Sequence, residues 1–405
     1  MVLLDAAIMM NPQVWVASGH VGSFSDPLME CRECHTRHRA DKLVEEALEK
    51  DANFPVPANW SADKTPNEDF NNYMQQGHIP CPNCGAKNWT DIQRFNLMLS
   101  THQGVTEDSS SLVYLRPETA QGIFVNFANI ARTTRKKVPF GVAQCGKAFR
   151  NEITPKNAIF RTREFEQIEI EYFCEPGTDG EHFEKWLVDE EQFFTQSLGL
   201  TKEKVRFVEI PADGLPHYSK RAGDFEYLFP FGWGEISTLA NRTDYDLKAH
   251  MNLSKQDLAY FDPFTNQKYI PYVIEPSIGL SRLTLALMAD AYTEVENEEG
   301  SRVIMKFAPQ VAPIKVAILP LVKKLSEKAI EIFDLLSPHM QCEYDETGTI
   351  GKRYHRMDEI GVPFSICIDF EHTENGEVTI RDRDSGEQDV VKIDELVTWL
   401  KAKGC

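Results

Sequence analysis

The chain has 405 residues, 42% hydrophobic and 26% charged, the make-up of a folded globular protein of about two or three domains. Its formal net charge of −19 argues against sequence-independent coating of nucleic acid, while leaving local basic stretches able to meet a polyanion. No apolar run approaches the roughly 20 residues that cross a bilayer, and Val2 to Met10 contains Asp5 with no basic residue before it, so a cytoplasmic protein without membrane association is expected.

In chain order, the first feature is a pair of knuckles, Cys31-x-x-Cys34 and Cys81-x-x-Cys84, separated by 46 residues. Nine cysteines falling as these two pairs plus five scattered residues suit metal binding in a reducing compartment better than a disulfide framework. Four thiolates specify a tetrahedral structural zinc in an insertion over residues 31–90, with no open position for catalysis. A redox pair or unligated thiols are the competing readings.

Next, Tyr114-Leu-Arg-Pro-Glu-Thr-Ala-Gln-Gly122 gathers Arg116, Glu118 and Gln121 around a proline-bearing turn, with Glu118 expected in the first turn of the following helix. The basic run Arg132-Thr-Thr-Arg135-Lys136-Lys137 ends that helix and reads as a solvated face when taken alone. From Ala148 to Phe173 the pattern is a hairpin: Pro155 and Asn157 mark its loop, Arg150 and Glu152 close the first strand, and Arg161 and Arg163 lie at the loop's end. In the returning strand a period of two puts Phe165, Gln167, Glu169 and Glu171 on one face, against Ile168, Ile170 and Tyr172 on the other. One face is expected to be core and the other to line something polar. A half-exposed hairpin with a charged outer face is the bland alternative.

The segment from Tyr272 to Met288 predicts a short strand, a Pro-Ser-Gly turn with Ser277 as N-cap, and an apolar helix carrying Arg282 in its first turn. Neither GxxxxGK[ST] nor a strand-linked GxGxxG occurs, so any ATP must be held by side chains. Direct succession of strands through the first three hundred residues suggests an α+β domain on a largely antiparallel sheet. The acidic run Glu294 to Gly300 and the Pro-rich 308–313 read as a linker. Beyond it, strands at 315–319, 364–370 and 378–381 alternate with helices at 322–336 and 350–360 and a final amphipathic helix, a small α/β domain.

Arg150-x-Glu152 with its loop resembles motif 2 of class II aminoacyl-tRNA synthetases, and Gly279-Leu-Ser-Arg282 resembles motif 3. The longer strings Arg-Pro-Glu-Thr-Ala-Gln-Gly, Phe-Arg-Thr-Arg-Glu-Phe-Glu-Gln-Ile-Glu and Glu-Pro-Ser-x-Gly-Leu-x-Arg resemble the dimeric type of glycyl-tRNA synthetase. The resemblance implies an antiparallel-sheet catalytic domain over 1–308 and an α/β anticodon-binding domain over 309–405. It further implies glycine, ATP with Mg2+ and tRNA(Gly) as ligands, and a homodimer. The family carries a segment ahead of this chain's start, including the helix half of motif 1, so a fragment or a misplaced start is expected.

By that resemblance, Arg150 binds the α-phosphate and bridges to the glycine carboxylate, Arg282 binds the γ-phosphate, Phe165 stacks on adenine, and Glu152 and Glu235 serve ATP and metal. The ATP set is completed by Asn151, Phe160, Arg161, Thr162, Arg163, Glu164, Ile236, Gly279, Leu280 and Ser281. Glu118, Glu169, Glu275 and Ser277 enclose glycine, with Arg39, Phe165, Glu166, Gln167, Ile168, Pro276, Ile278 and Gly279 around them. Joining a carboxylate to the α-phosphate brings two anions together, which calls for fixed guanidinium groups. Arg353, Arg356, Arg381 and Arg383 are anticodon-contact candidates by charge. The alternative is a non-catalytic synthetase-like accessory or nucleic-acid-binding protein; retention of Arg150, Glu152 and Arg282 favours the enzyme.

Overall fold

The computed structural model describes residues 1–51, 53–56, 65–297 and 300–405. They form two compact units. The first comprises 1–184, 208–224 and 237–281; the second comprises 185–207, 225–236 and 282–405.

The main sheet is built from β1 (Val2–Leu3), β2 (Phe140–Phe149), β3 (Glu164–Cys174), β4 (Val205–Glu209), β5 (Arg221–Phe229), β6 (Gly232–Thr243) and β7 (Tyr272–Gly279), in the order β1-β2-β3-β7-β6-β5-β4. Only the β1–β2 pairing is parallel among those whose register is resolved; β2–β3, β3–β7 and β7–β6 are antiparallel, as the direct succession of strands predicts. Helix α1 (Ala120–Thr134) presents Ala120, Ile123, Phe124, Phe127 and Ile130 at helical spacing, and all are buried. Phe127 packs on Phe173 of β3 with ring centroids 4.3 Å apart, and Val142 and Val273 complete this core. Each such phenylalanine contributes about 2–3 kcal/mol by burial. The close approach of the N-terminal segment depends on Gly122, where a β-carbon would stand 2.7 Å from that of Ala6. Helices α2 (Tyr245–Ser254) and α3 (Leu280–Ala291) follow β6 and β7 without intervening loops.

The cysteine-bearing insertion has its own three-stranded sheet, in which Ser25–Glu30 is flanked by Arg37–Arg39 and Gln93–Asn96. Helices Ala40–Lys50 and Asn67–Gln75 add Leu43, Val44, Phe70 and Met74 to a core around Trp89. Part of the predicted insertion, residue 52 and residues 57–64, lies outside the described residues.

In the second unit, β8 (Val316–Pro320), β9 (Cys342–Tyr344), β10 (Phe364–Ile368), β11 (Glu377–Asp382) and β12 (Gln388–Lys392) form a sheet ordered β9-β8-β10-β11-β12. The pairs β8–β9 and β8–β10 are parallel, and the remaining two are antiparallel. Every residue of β8 and β10 is buried, as central strands covered on both faces require. Helices Ser326–Leu336, Ile350–Glu359 and Leu396–Ala402 agree with the expected pattern, whereas β9, β12 and the short helix Phe370–Glu374 carry no periodic signal. The predicted linker is corrected in part: Tyr292–Asn297 and Gly300–Met305 pair as antiparallel strands, so residues 294–297 and 300 of the acidic run belong to strands, and residues 298–299 lie outside the described residues.

Candidate active site

Register decides which side chains converge. In β3 the polar face is the more deeply buried one: Gln167, Glu169 and Glu171 are at most 7% exposed, while Ile168 and Ile170 are half-buried. Ser277 of β7 pairs directly with Glu169, Ile278 with Ile168 and Gly279 with Gln167. Ser277 therefore lies inside a strand and is not the helix N-cap; its hydroxyl donates to Glu169 Oε1 at 3.0 Å. Glu118 likewise precedes the helix, which begins at Ala120. The α1 N-terminus is closed by Glu169, whose Oε2 accepts from Thr119 N (2.5 Å), Thr119 Oγ1 (2.5 Å) and Ala120 N (2.8 Å). A carboxylate there satisfies orphan amides and meets the positive end of the helix dipole.

Glu275 and Glu118 are bound into the same network through residues that the sequence motifs do not name. A bulge in β6 makes Arg242 an extra residue between Asn241, paired with Ile274, and Thr243, paired with Val273. Its buried guanidinium grips Asp246 with two bonds (2.7 and 2.9 Å), and Nη1 reaches both oxygens of Glu275 at 2.9 Å. Tyr218 lies on the guanidinium face, 4.2 Å from carbon to ring centroid. Gln121 Nε2 donates to Glu118 Oε1 (2.8 Å) and Asp246 Oδ1 (2.9 Å), and His20 Nε2 stands 3.4 Å from Glu118 Oε2. The spacing Arg242–Asp246, four residues apart, was the available signal for the salt bridge; nothing local marks Tyr218 or His20.

Among the described residues, Arg242 bonds Asp246 and Glu275 directly and acts on Glu118 and Glu171 at longer range, whereas Glu169 is held by Thr119, Ala120 and Ser277. Burial raises Glu169, with Glu118 adding to the effect. Burial also lifts Glu275 to about 7 against the pull of Arg242. Glu171 is driven well above the carboxylate range by burial and by Glu275, and neither of its oxygens has a hydrogen-bond partner among the described residues. For Glu118 burial acts in the same direction but is overcome by His20, Arg242 and Gln121, which hold it well below the usual range. The result is a largely buried cluster of carboxyl groups, a setting suited to a small ammonium group.

Arg150 follows β2 immediately, with its Nε on Pro117 O (3.2 Å) and its guanidinium 5.4 Å from the Phe24 ring and 5.2 Å from that of Phe165. The loop beyond it is ordered by its own backbone: Asn151 N donates to Leu97 O, Arg163 Nε to Glu152 O, and Lys156 and Arg161 exchange two bonds around the Ala158–Phe160 turn. Thr162 bonds Glu164 O, Glu164 pairs with Lys147, and Glu166 N donates to Ser281 Oγ at 3.3 Å. Glu152, Asn151 and Arg163 line a cavity of about 630 Å3 with Glu30, Arg37 and Gln93 and with the apolar Leu28, Met29, Phe95 and Ile153. Arg39 is clasped by Asp26 and Asp41, and its charge is coupled to Glu152; no direct bond joins it to Glu118, Glu169 or Glu275. In the second unit Arg282 donates to the Glu235 carbonyl (3.1 Å) and meets its carboxylate at 3.0 Å, beside the buried Ile236.

The four cysteine sulfurs lie within 4.8 Å of one another, with Cys31–Cys84 and Cys34–Cys81 at 3.6 Å. Zinc–sulfur bonds of about 2.3 Å at tetrahedral angles require separations of about 3.8 Å, so the set fits one zinc ion. His35 N and Gly85 N each close a tight turn onto Cys31 O and Cys81 O, the two knuckles.

The four charge-selected arginines of the second unit are committed internally. Arg353 is buried against the carbonyls of Pro320, Leu321, Asp345 and Gly348. Arg356 binds Asp345, Arg381 binds Asp358, and Arg383 binds the carbonyls of Gly361 and Phe307.

Residues 104–291 match the family described as the class II tRNA synthetase core domain (G, H, P, S and T), and residues 315–403 match the anticodon binding domain. A glycine–tRNA ligase of Acetivibrio thermocellus is 57% identical over 405 residues, covering 99% of this chain and 86% of that protein. One of Clostridium acetobutylicum is 58% identical over 402 residues with the same coverage. A solved prolyl-tRNA synthetase of Giardia lamblia, in complex with prolyl-adenylate, shares the fold with a TM-score of 0.56 at 17% identity, over 74% of this chain and 59% of that one.

Proposed function

Because the chain belongs to the glycine–tRNA ligases, class II aminoacyl-tRNA synthetases that join glycine to tRNA with ATP, we propose a role for each part of its site. Glycine's ammonium is held by Glu118, Glu169 and Glu275, and Ser277 keeps Glu169 aligned. The observation that carries this assignment is the chain of bonds from Glu118 through Gln121, Asp246 and Arg242 to Glu275, with Glu169 paired to Ser277 on the neighbouring strand. These side chains also fill the volume that a larger amino acid would need, so selection is steric and requires no editing step.

Arg150 neutralises the repulsion as the glycine carboxylate attacks the α-phosphorus and pyrophosphate departs. Charge building on the phosphoryl oxygens meets a guanidinium already fixed by Pro117 O, so little reorganisation is required. Arg282 is assigned to the γ-phosphate. A tRNA terminal hydroxyl then attacks the carbonyl carbon and AMP leaves. Phe165 offers an adenine platform, and Asn151, Phe160, Arg161, Thr162, Arg163 and Glu164 form the wall of the ATP site. Glu152 and Glu235 supply hard oxygen donors for Mg2+, which would shield the phosphate charge. Arg39 steadies Glu152 through the Asp26–Asp41 clasp.

We assign 1–308 to the catalytic domain, with a zinc-bearing insertion at 31–90, and 309–405 to anticodon binding. A homodimer is the assembly that we propose for this chain. No helix among the described residues is long and apolar enough to cross a membrane; nine unpaired cysteines support a cytoplasmic location.

The test is glycine-dependent ATP–pyrophosphate exchange, with alanine and serine as controls, on the wild type and on Glu118→Gln. Exchange with glycine alone is expected. Loss of the charge at 118 should raise the glycine KM about 100-fold, the scale of a buried ionic hydrogen bond. An unchanged glycine KM in E118Q overturns the pocket assignment.

A further inference from the structure

His250, on α2, is 4% exposed, and no catalytic motif includes it. Its Nε2 lies 2.7 Å from Gln121 Oε1, and Gln121 is itself fully buried. The amide nitrogen of Gln121 faces two acceptors, Glu118 Oε1 at 2.8 Å and Asp246 Oδ1 at 2.9 Å. These contacts admit one arrangement of protons. Ionised carboxylates only accept, so each amide hydrogen is committed to one of them; the amide oxygen then faces His250, whose Nε2 has to be a donor. Turning the amide over would set its oxygen against two carboxylates, leaving three acceptors opposed with no hydrogen between them.

We infer that His250 is a positioning residue for the glycine site, donating from Nε2 to fix the Gln121 amide and, through it, Glu118 and Asp246. The inference rests on the assignment of Glu118 to the glycine ammonium. Its reach is wider than one carboxylate, because Asp246 also anchors Arg242, which holds Glu275. A single ring nitrogen therefore sets the orientation of the donors serving two of the three pocket carboxylates. Burial keeps the imidazole below the usual histidine range, opposed by Asp246 and Glu118 and assisted by Arg242 and His20. The neutral ring has one proton, and the geometry puts it on Nε2. The ring also borders a cavity of about 450 Å3 lined by Asn11, Val14, Val125 and Leu253, which leaves room for a phenylalanine at this position.

Two measurements test the inference. Long-range proton–nitrogen NMR correlation on the 15N-histidine-labelled wild-type chain, with His250 assigned by the signal lost in H250Q, is expected to give the Nε2–H tautomer. In steady-state exchange assays, His250→Phe should raise the glycine KM about tenfold, with the ATP KM within about twofold of wild type and kcat changed less than KM; His250→Gln, which retains a donor, should recover most of the loss. An Nδ1–H tautomer, or a folded H250F with the wild-type glycine KM, overturns the inference. If H250F does not fold, the tautomer decides. E118Q separates the two ideas: if it loses glycine affinity and H250F does not, only the role of His250 falls, whereas if E118Q keeps it, the pocket assignment falls first.

Discussion

Glu171 stands directly across the strand boundary from Glu275. The pairs Ile274–Tyr172 and Ser277–Glu169 on either side bring these two buried carboxyl groups opposite each other on one face of the sheet. Like charges cannot both persist at such a position in a low-dielectric interior. Arg242 is bonded to Glu275, while Glu171 has no donor among the described residues, so Glu171 carries the proton.

Replacing Glu171 by glutamine should therefore stabilise the protein at alkaline pH. Below the unfolded value of about 4.3 both folded and unfolded states hold the proton and the substitution gains nothing. As pH rises, the unfolded chain releases a proton that the folded chain retains, and the wild type loses about 1.4 kcal/mol per pH unit until the raised folded value is reached. Thermal melts should show E171Q above wild type by a few degrees at pH 8, with the gap narrowing towards pH 5. A gap that is flat with pH, or a wild type that melts higher at pH 8, contradicts a protonated Glu171.

One zinc ion per chain is expected by elemental analysis, with Cys81→Ser or a strong chelator removing it. The insertion core around Trp89 depends on the two knuckles being clamped, and structural zinc in small domains contributes about 10–16 kcal/mol. Metal loss should raise Trp89 exposure, read by fluorescence quenching. Stoichiometric zinc that persists in C81S would count against a four-thiolate site.

Arg282→Ala should lower glycine-dependent exchange by at least about 100-fold, the scale of a fixed transition-state donor, while circular dichroism stays at the wild-type signal. The side chain is 24% exposed and bonds Glu235, so its removal opens no apolar core. Near-normal turnover would remove Arg282 from the phosphate-binding assignment.

What the chain disclosed before folding follows from how local each signal is. Arg150, Glu152 and the hairpin of β2 and β3 are marked by neighbours in sequence, and the structure builds that hairpin where Pro155 and Asn157 point to a loop. Alternation also grouped Gln167, Glu169 and Glu171 on one face. It did not reveal that this face would be the buried one, because charge normally marks solvent and here marks a pocket. A Ser before an apolar run predicts a helix cap at Ser277; pairing of β7 with β3 overrides that preference. Arg242 becomes a pocket residue only through a bulge, and His250 meets Gln121 across 129 residues, neither of which periodicity can register. Arg353 has the sequence environment of a surface cation, yet four carbonyls at the strand ends claim it.

The first compact unit is assembled from three separated stretches, the last of them 237–281. On the ribosome this makes the proposed glycine pocket a late event. Glu118 and Glu169 emerge early, but Arg242, Glu275 and Ser277 follow roughly a hundred residues behind, about 5–20 s at ordinary elongation rates. During that interval β3 lacks its β7 neighbour, and Glu169 has water in place of Ser277 as a partner. A nascent chain halted before residue 272 therefore lacks the central strand and holds two three-stranded pieces, β1-β2-β3 and β6-β5-β4, each with an open edge, a substrate for chaperones and proteases and not a partial enzyme.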